Sequence, residues 1–229
     1  MFSKGEAKGL FADTGFDRRH RFAIGVSHAV SRLSSFVELP EKIELPTDRP
    51  VLVAANHSSL FDLAVALIFM GNFGIHSRIG VNARFFKNPA LGAGFTGIGC
   101  IPFSKDDGGA AETEMINALV SGQAAALMPE GRITKLEDQV NGVGRGRLGI
   151  SRIARAANAA ILPVGIAFSN EAWQPGTALP KPRLGRHRVI ASAGTPILFE
   201  SDDHIANANL LMDCIGALVM QGRESRSLS

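Results

Sequence analysis

The sequence predicts an α/β fold with a mostly parallel sheet flanked by helices, entered through an N-terminal amphipathic helical segment. Two observations carry that prediction. Strand-like apolar runs alternate with segments of helical character along most of the chain, the pattern of a parallel sheet with crossover helices. The composition, 45% hydrophobic and 20% charged over 229 residues, supplies a sizeable core and excludes a disordered chain. No internal repeat or low-complexity block interrupts it.

The elements follow in order. Residues 22–37, FAIGVSHAVSRLSSFV, place Phe22, Val26, Ala29, Val30, Leu33 and Phe36 or Val37 on one face at helical spacing, behind Arg18, Arg19 and Arg21. Such a helix either lies on a membrane surface or packs on the core, and the sequence leaves both open. The Pro-containing connector ELPEKIELPTDRP then separates residues 1–45, read as a helical, membrane-surface segment, from a domain at 46–229. RPVLVAA reads as a buried strand, SLFDLAVALIFMGN as a helix, SRIGVNARFF as a strand and GCIPF as a short one. DGGAAETEMINALVSG has helix character and a Gly stop. AAALMPE is a strand running into a loop, RLGISRIARAAN a helix and AAILPVGIAF a strand. Pro163 in that last run removes a ladder donor and implies a sheet edge or a pocket wall. HRVIASAGTPI is a late strand, and SDDHIANANLLMDCIGALVMQG a closing helix capped by Ser or Asp, with RESRSLS as a frayed tail.

Several function classes are disfavoured. The net charge of +3 suits an anionic substrate or membrane surface and is too small to argue for nucleic acid. Cys100 and Cys214 are far apart and make no metal-type spacing, so no metal site is expected, and the reading is a reduced intracellular chain. The first residues mix acids and bases without the apolar core of a signal peptide. The longest apolar run, residues 63–71, is far short of the ~18–20 residues of a spanning helix.

The chemistry gathers where the first apolar run stops, at VLVAANHSSLFD (51–62). In a parallel sheet, functional groups collect beyond the carboxyl ends of strands, and His57 falls there. Asp62 has two readings. It can cap the next helix through a Ser-x-x-Asp box with Ser59. It can also return across the strand-to-helix turn to one imidazole nitrogen, fixing the tautomer and leaving the other nitrogen to take a proton from a hydroxyl.

Three further segments join this one. GCIPFSK (99–105) ends on Ser104 and Lys105, MPEGRIT (128–134) contains Glu130, Gly131 and Arg132, and ILPVGI (161–166) is strand-like with its proline. Together with NHSSLFD, and in the same order, these blocks resemble the glycerophospholipid acyltransferase family, of the lysophosphatidic acid acyltransferase type, over roughly residues 50–200. The resemblance implies an enzyme that moves a fatty acyl group from an acyl-CoA or acyl-carrier-protein thioester to a lysophospholipid hydroxyl. The implied acceptor is 1-acylglycerol 3-phosphate, and no cofactor beyond the acyl donor is implied. His57 would be the general base and Asp62 its orienting partner; Ser104, Lys105, Glu130, Gly131 and Arg132 would hold the acceptor and its phosphate. The protein would work peripherally on the cytoplasmic face of a membrane.

Two departures bear on the headgroup. The commonest third block of the family is Pro-Glu-Gly-Thr-Arg, whereas here Arg132 follows Glu130 by two positions, as in the acyltransferase part of lysophosphatidylethanolamine acyltransferase–synthetase proteins. Lys105 stands where the family usually has Arg and lacks its bidentate fork. Both keep other acceptors open, such as lysophosphatidylethanolamine, an aminolipid or a glycolipid. A catalytically silent lipid-binding module is a different-class alternative, against which the intact His57–Asp62 pair argues.

Two Gly-rich stretches fit the dinucleotide fingerprint only formally. GAGFTG (92–97) follows no clean strand and reads as a tight loop. GRGRLG (144–149) opens a helix and brings Arg145 and Arg147, candidates for a donor phosphate contact.

Overall fold

The structure, a computed structural model, describes residues 17–104, 108–174 and 187–227. The first helix, α1 (Asp17–Ser34), leads into strand β1 (Ser35–Glu38) and then β2 (Val51–Ala55). There follow α2 (Phe61–Phe73), β3 (Ser77–Asn82), α3 (Pro89–Gly97), β4 (Ile101–Phe103) and α4 (Gly108–Val120). The chain continues through β5 (Ala124–Leu127), α5 (Gly149–Ala156), β6 (Ala160–Ala167) and the single turn α6 (Ser169–Ala172), and closes with β7 (His187–Ala193) and α7 (His204–Ser227).

One seven-stranded sheet runs β1-β7-β6-β2-β5-β3-β4. Strands β6, β2, β5, β3 and β4 are mutually parallel; β7 is antiparallel to β6, and β1 is parallel to β7. Successive strand side chains point to opposite faces, and β2 shows it: Val51, Val53 and Ala55 enter the core under α2, while Leu52 and Ala54 enter the core under α4, α5 and α7. The expected α/β class, with its mostly parallel sheet and flanking helices, is the observed one.

The apolar helix α2 is apolar on nearly every side because it is covered twice. Its inner side packs on the sheet, and α1 crosses its outer side. Gly71 allows that crossing, since a Cβ there would lie 2.7 Å from Ile24 Cδ1. Phe61, Phe69 and Phe73 are fully buried, each worth roughly 1.5–3 kcal/mol.

Several expectations are corrected. The helix expected over 22–37 ends at Ser34, and residues 35–38 pair with β7, so the N-terminal segment supplies a strand of the sheet. Ile43 and Leu45 lie in the same core, and no domain break falls at residue 45. The strand expected through residue 86 stops at Asn82, whose side chain accepts from Arg84 N and starts a short 3₁₀ turn (Ala83–Lys87). GAGFTG lies inside α3, started by Pro89 in the first turn and by Asn88, whose Oδ1 accepts from Ala90 and Leu91 N–H. The closing helix is capped by Asp203, which accepts from Ile205 and Ala206 N–H, but it runs on to Ser227 where a frayed tail was expected.

Pro163 lies in an interior strand, not at an edge. Its carbonyl accepts from Gly194 N, just past the β7 ladder, so the missing donor falls where that ladder has ended. It does line a pocket, an apolar cleft of about 470 Å³ with Cys214, Ala217 and Leu218.

The outward face of α1 is apolar. Phe22, Val26 and Leu33, with Phe36 just beyond, are 75%, 45%, 76% and 56% exposed, while Ser27 and Ser31 are buried beneath. A surface helix ordinarily keeps such side chains on its inner face, where α1 also has Ala23, Ile24 and Val30. Among the described residues no helix is long and apolar enough to cross a membrane.

Candidate active site

The carboxyl ends of β2, β5 and β6 meet at the middle of the sheet, and the candidate residues hang from them. Beyond β2, Asn56 is buried and binds the backbone of Ile166 twice: Nδ2 donates to the carbonyl at 3.0 Å, and Oδ1 accepts from N–H at 2.7 Å. This holds the end of β2 against β6 and presents the next residue, His57, at the carboxyl end of the sheet.

His57 Nδ1 lies 3.1 Å from Asp62 Oδ2. The same oxygen accepts the backbone N–H groups of Ser58 and Ser59, each at 2.7 Å. Asp62 therefore does both things the sequence allows. It closes the start of α2, where Ser59 Oγ in turn accepts from Phe61 N at 3.1 Å, and it orients the imidazole. Its side chain is wholly buried, while that of His57 is 19% exposed. An Nδ1–H given to the carboxylate leaves Nε2 unprotonated, free to accept a proton. Because Ser58 and Ser59 give their amides to Asp62, those amides are not oxyanion donors.

The turn is also held from β6. Phe168 adopts a left-handed φ of 66°, a conformation that costs a non-glycine residue on the order of 1–2 kcal/mol. It turns the chain so that Ser169 Oγ meets Ser58 Oγ at 2.9 Å. Ser59 Oγ donates to the carbonyl of Trp173 at 2.6 Å. The part of Trp173 in this wall was not readable from its sequence neighbourhood.

The loop after β5 brings Glu130 to the same place. Its carboxylate turns inward, is buried, and accepts the backbone N–H of His57 at 3.0 Å. Thr134, which the motif reading passed over, donates its hydroxyl to the other carboxylate oxygen and its N–H to the carbonyl of His57, the latter at 2.8 Å. Burial raises the Glu130 pKa from 4.5 to about 7, against the lowering pull of the His57 and Gly144 amides. A buried carboxyl engaged this way braces the loop that carries His57.

Gly131 has φ 66°, and a Cβ there would lie 2.6 Å from Arg147 Nε, so the position requires glycine. Arg147 Nε donates to the carbonyl of Glu130 at 3.1 Å, which seats this guanidinium along the same loop. Arg132 and Arg145 are exposed at the rim. Ser104 follows directly on β4, a strand three places from β2 in the sheet, about 14 Å away at the usual strand spacing. Lys105 lies outside the described residues. No metal-binding group of three or more His, Cys, Asp or Glu occurs among the described residues. Burial pushes the Cys100 thiol up to about 12, so it is not a thiolate at neutral pH.

The family model for Acyltransferase matches residues 36–167, more than half of the chain. The chain belongs to the Acyltransferase family. It is an acyltransferase, and the matched region contains His57, Asp62, Glu130 and Arg132. The acyltransferase fold is similar to the crystal structure of the 1-acyl-sn-glycerophosphate (LPA) acyltransferase PlsC from Thermotoga maritima, with a TM-score of 0.65. The identity is 21%, and the match covers 91% of this chain and 79% of that one. No curated protein matches the chain.

Proposed function

We propose that this acyltransferase moves a fatty acyl group from an acyl-CoA or acyl-carrier-protein thioester to the free hydroxyl of a lysophospholipid, with 1-acylglycerol 3-phosphate as acceptor. The observation that carries the reading is the partly exposed His57 ring with Nδ1 on the buried Asp62 carboxylate. Nε2 takes the hydroxyl proton as the hydroxyl oxygen attacks the thioester carbonyl. The tetrahedral oxyanion then collapses, the carbon–sulfur bond breaks, and the thiolate leaves with the proton carried by His57. Asp62 stabilises the imidazolium between the two transfers. A thioester is already activated, so positioning and deprotonation carry most of the burden.

Arg132, with Lys105 and Ser104, would meet the acceptor phosphate, and Arg145 and Arg147 the phosphates of the donor. The two-residue spacing from Glu130 to Arg132 favours one alternative, the same chemistry on lysophosphatidylethanolamine or another headgroup.

The enzyme would act as a peripheral protein on the cytoplasmic face of a membrane. The exposed row of Phe22, Val26, Leu33 and Phe36, with exposed Arg19, Arg21 and Arg32 on the same helix, supports this. Apolar side chains at the acyl boundary and cations at the headgroups are what an interfacial helix offers.

Thiol release by purified protein, with acyl-CoA and then acyl carrier protein as donor across a panel of lysophospholipids, tests the reaction. Lysophosphatidic acid should drive it, and His57→Ala should lower kcat by roughly 10³-fold while leaving lipid binding intact. Release driven only by another lysolipid would replace the acceptor. Release unaffected by His57→Ala would remove the base.

A further inference from the structure

The polar atoms of the His57 peptide are held by a loop far along the chain. β2 ends at Ala55, so His57 lies past the last strand hydrogen bonds. Its N–H goes to Glu130 and its carbonyl accepts from Thr134, while the Thr134 hydroxyl closes the ring onto the second Glu130 oxygen. All three hydrogen bonds lie in the interior, with Glu130 and Thr134 at 3% and 4% exposure. Gly144 packs directly behind: a Cβ there would lie 2.4 Å from Thr134 Oγ1 and 3.1 Å from Glu130 Oε2. The space for this ring is therefore kept open by a glycine.

We propose that Glu130 and Thr134 are positioning residues that clamp the His57 peptide and thereby aim its imidazole at Asp62 and at the acceptor hydroxyl. The proposal rests on His57 being the base. The clamp acts on the backbone, and the ring follows because Nδ1 reaches Asp62 Oδ2 only while the peptide plane is held. The loop that carries the clamp also carries Gly131 and Arg132, with Arg147 bound to the Glu130 carbonyl. Contact of an anionic headgroup with Arg132 is thus two residues from an atom that fixes the base. A hydroxyl held even ~1 Å from its productive place can cost up to about 10²-fold in rate, so clamp loss appears in turnover more than in binding.

Thr134→Val keeps the shape and the backbone donor and removes the hydroxyl, whereas Thr134→Ser restores it. Thr134→Val should lower kcat roughly tenfold with KM for donor and acceptor within about twofold, and Thr134→Ser should recover most of the loss. A kcat within about twofold of wild type, a KM that rises in step, or no recovery in the serine variant would overturn the clamp.

A second measurement needs no turnover. In ¹⁵N-histidine-labelled protein, the His57 Nδ1–H resonance should shift or broaden in Thr134→Val and return in Thr134→Ser. An unchanged resonance overturns the clamp. A resonance that responds in a protein that acylates no lysolipid supports the clamp and rejects the acceptor reading, so the two failures are told apart. Glu130→Gln retains an acceptor for the His57 N–H and should preserve the resonance more fully than Thr134→Val does; the reverse order would overturn the arrangement of the ring.

Discussion

The turn that carries His57 and the rim that carries Arg132 and Arg145 are built in opposite ways. At the turn, three donors converge on one oxygen of a buried carboxylate, and both polar atoms of the His57 peptide are bound from another loop. At the rim, the two guanidinium groups are exposed on loops. On the proposed mechanism the turn is preorganised for one proton transfer, where small errors in position are costly. The rim, which on the same reading would meet the ligand phosphates, retains the side-chain freedom of a surface loop. Chemistry and specificity thus occupy neighbouring parts with different mechanical properties.

The contrast can be broken most severely at Asp62. Asp62→Asn keeps the shape but removes the charge that stabilises the imidazolium. kcat should fall by on the order of 10²-fold or more, with KM for the acceptor little changed. Steady-state kinetics against a matched Arg132 variant checks it: loss at Arg132 should appear mainly in KM. If Asp62→Asn instead raised KM alone, the turn and the rim would not divide the work in this way.

A middle-sized effect is expected from Glu130. Its pKa is raised to about 7 in the folded protein, so between about pH 4.5 and about pH 7 the folded state holds more protons than the unfolded one. Stability therefore falls as pH rises through that window, by at most roughly 3 kcal/mol. Glu130→Gln removes this loss, and thermal melts from pH 5 to pH 8 should show a flatter dependence on pH than wild type. An unchanged slope would mean that Glu130 is not the group titrating there.

The smallest effect on chemistry should come from α1. Phe22→Asp combined with Leu33→Asp should reduce flotation with anionic liposomes by about tenfold or more. Turnover of a detergent-dispersed lysolipid should stay within about twofold. Undiminished flotation would count against the outward face as the attachment site. Truncation is a poorer test, because removing residues through 38 also removes β1 from the sheet.

The sequence made the chemistry more legible than its support. His57 and Asp62 stand five residues apart across one strand-to-helix turn, a local relation that backbone geometry converts into contact. The α/β alternation was visible for the same reason. The inward turn of Glu130 was not, because it depends on a loop bound to a residue 73 positions away. Motif recognition places a residue near the substrate but does not say which way its side chain points. Periodicity found the apolar face of α1, yet no period tells whether a face looks toward the core or away from it. The start of α3 was a missed local signal: Asn88 followed by Pro89 is a cap and a first-turn proline, and it outweighed the glycines that suggested a loop.

The place of β1 has a consequence for how the chain assembles. Ser35–Glu38 pairs with residues 187–190, and Glu38 Oε2 accepts from Arg188 Nε across 150 positions at 2.7 Å. On a ribosome that makes the N-terminus first, β1 has no strand to join until β7 emerges. During most of synthesis β1 is therefore free of its final sheet partner, while α1 can already meet α2 and β2 to β6 can pair with one another. Closing so long a loop is a slow, high-contact-order event, and it makes the pairing of β1 a late step in forming this enzyme.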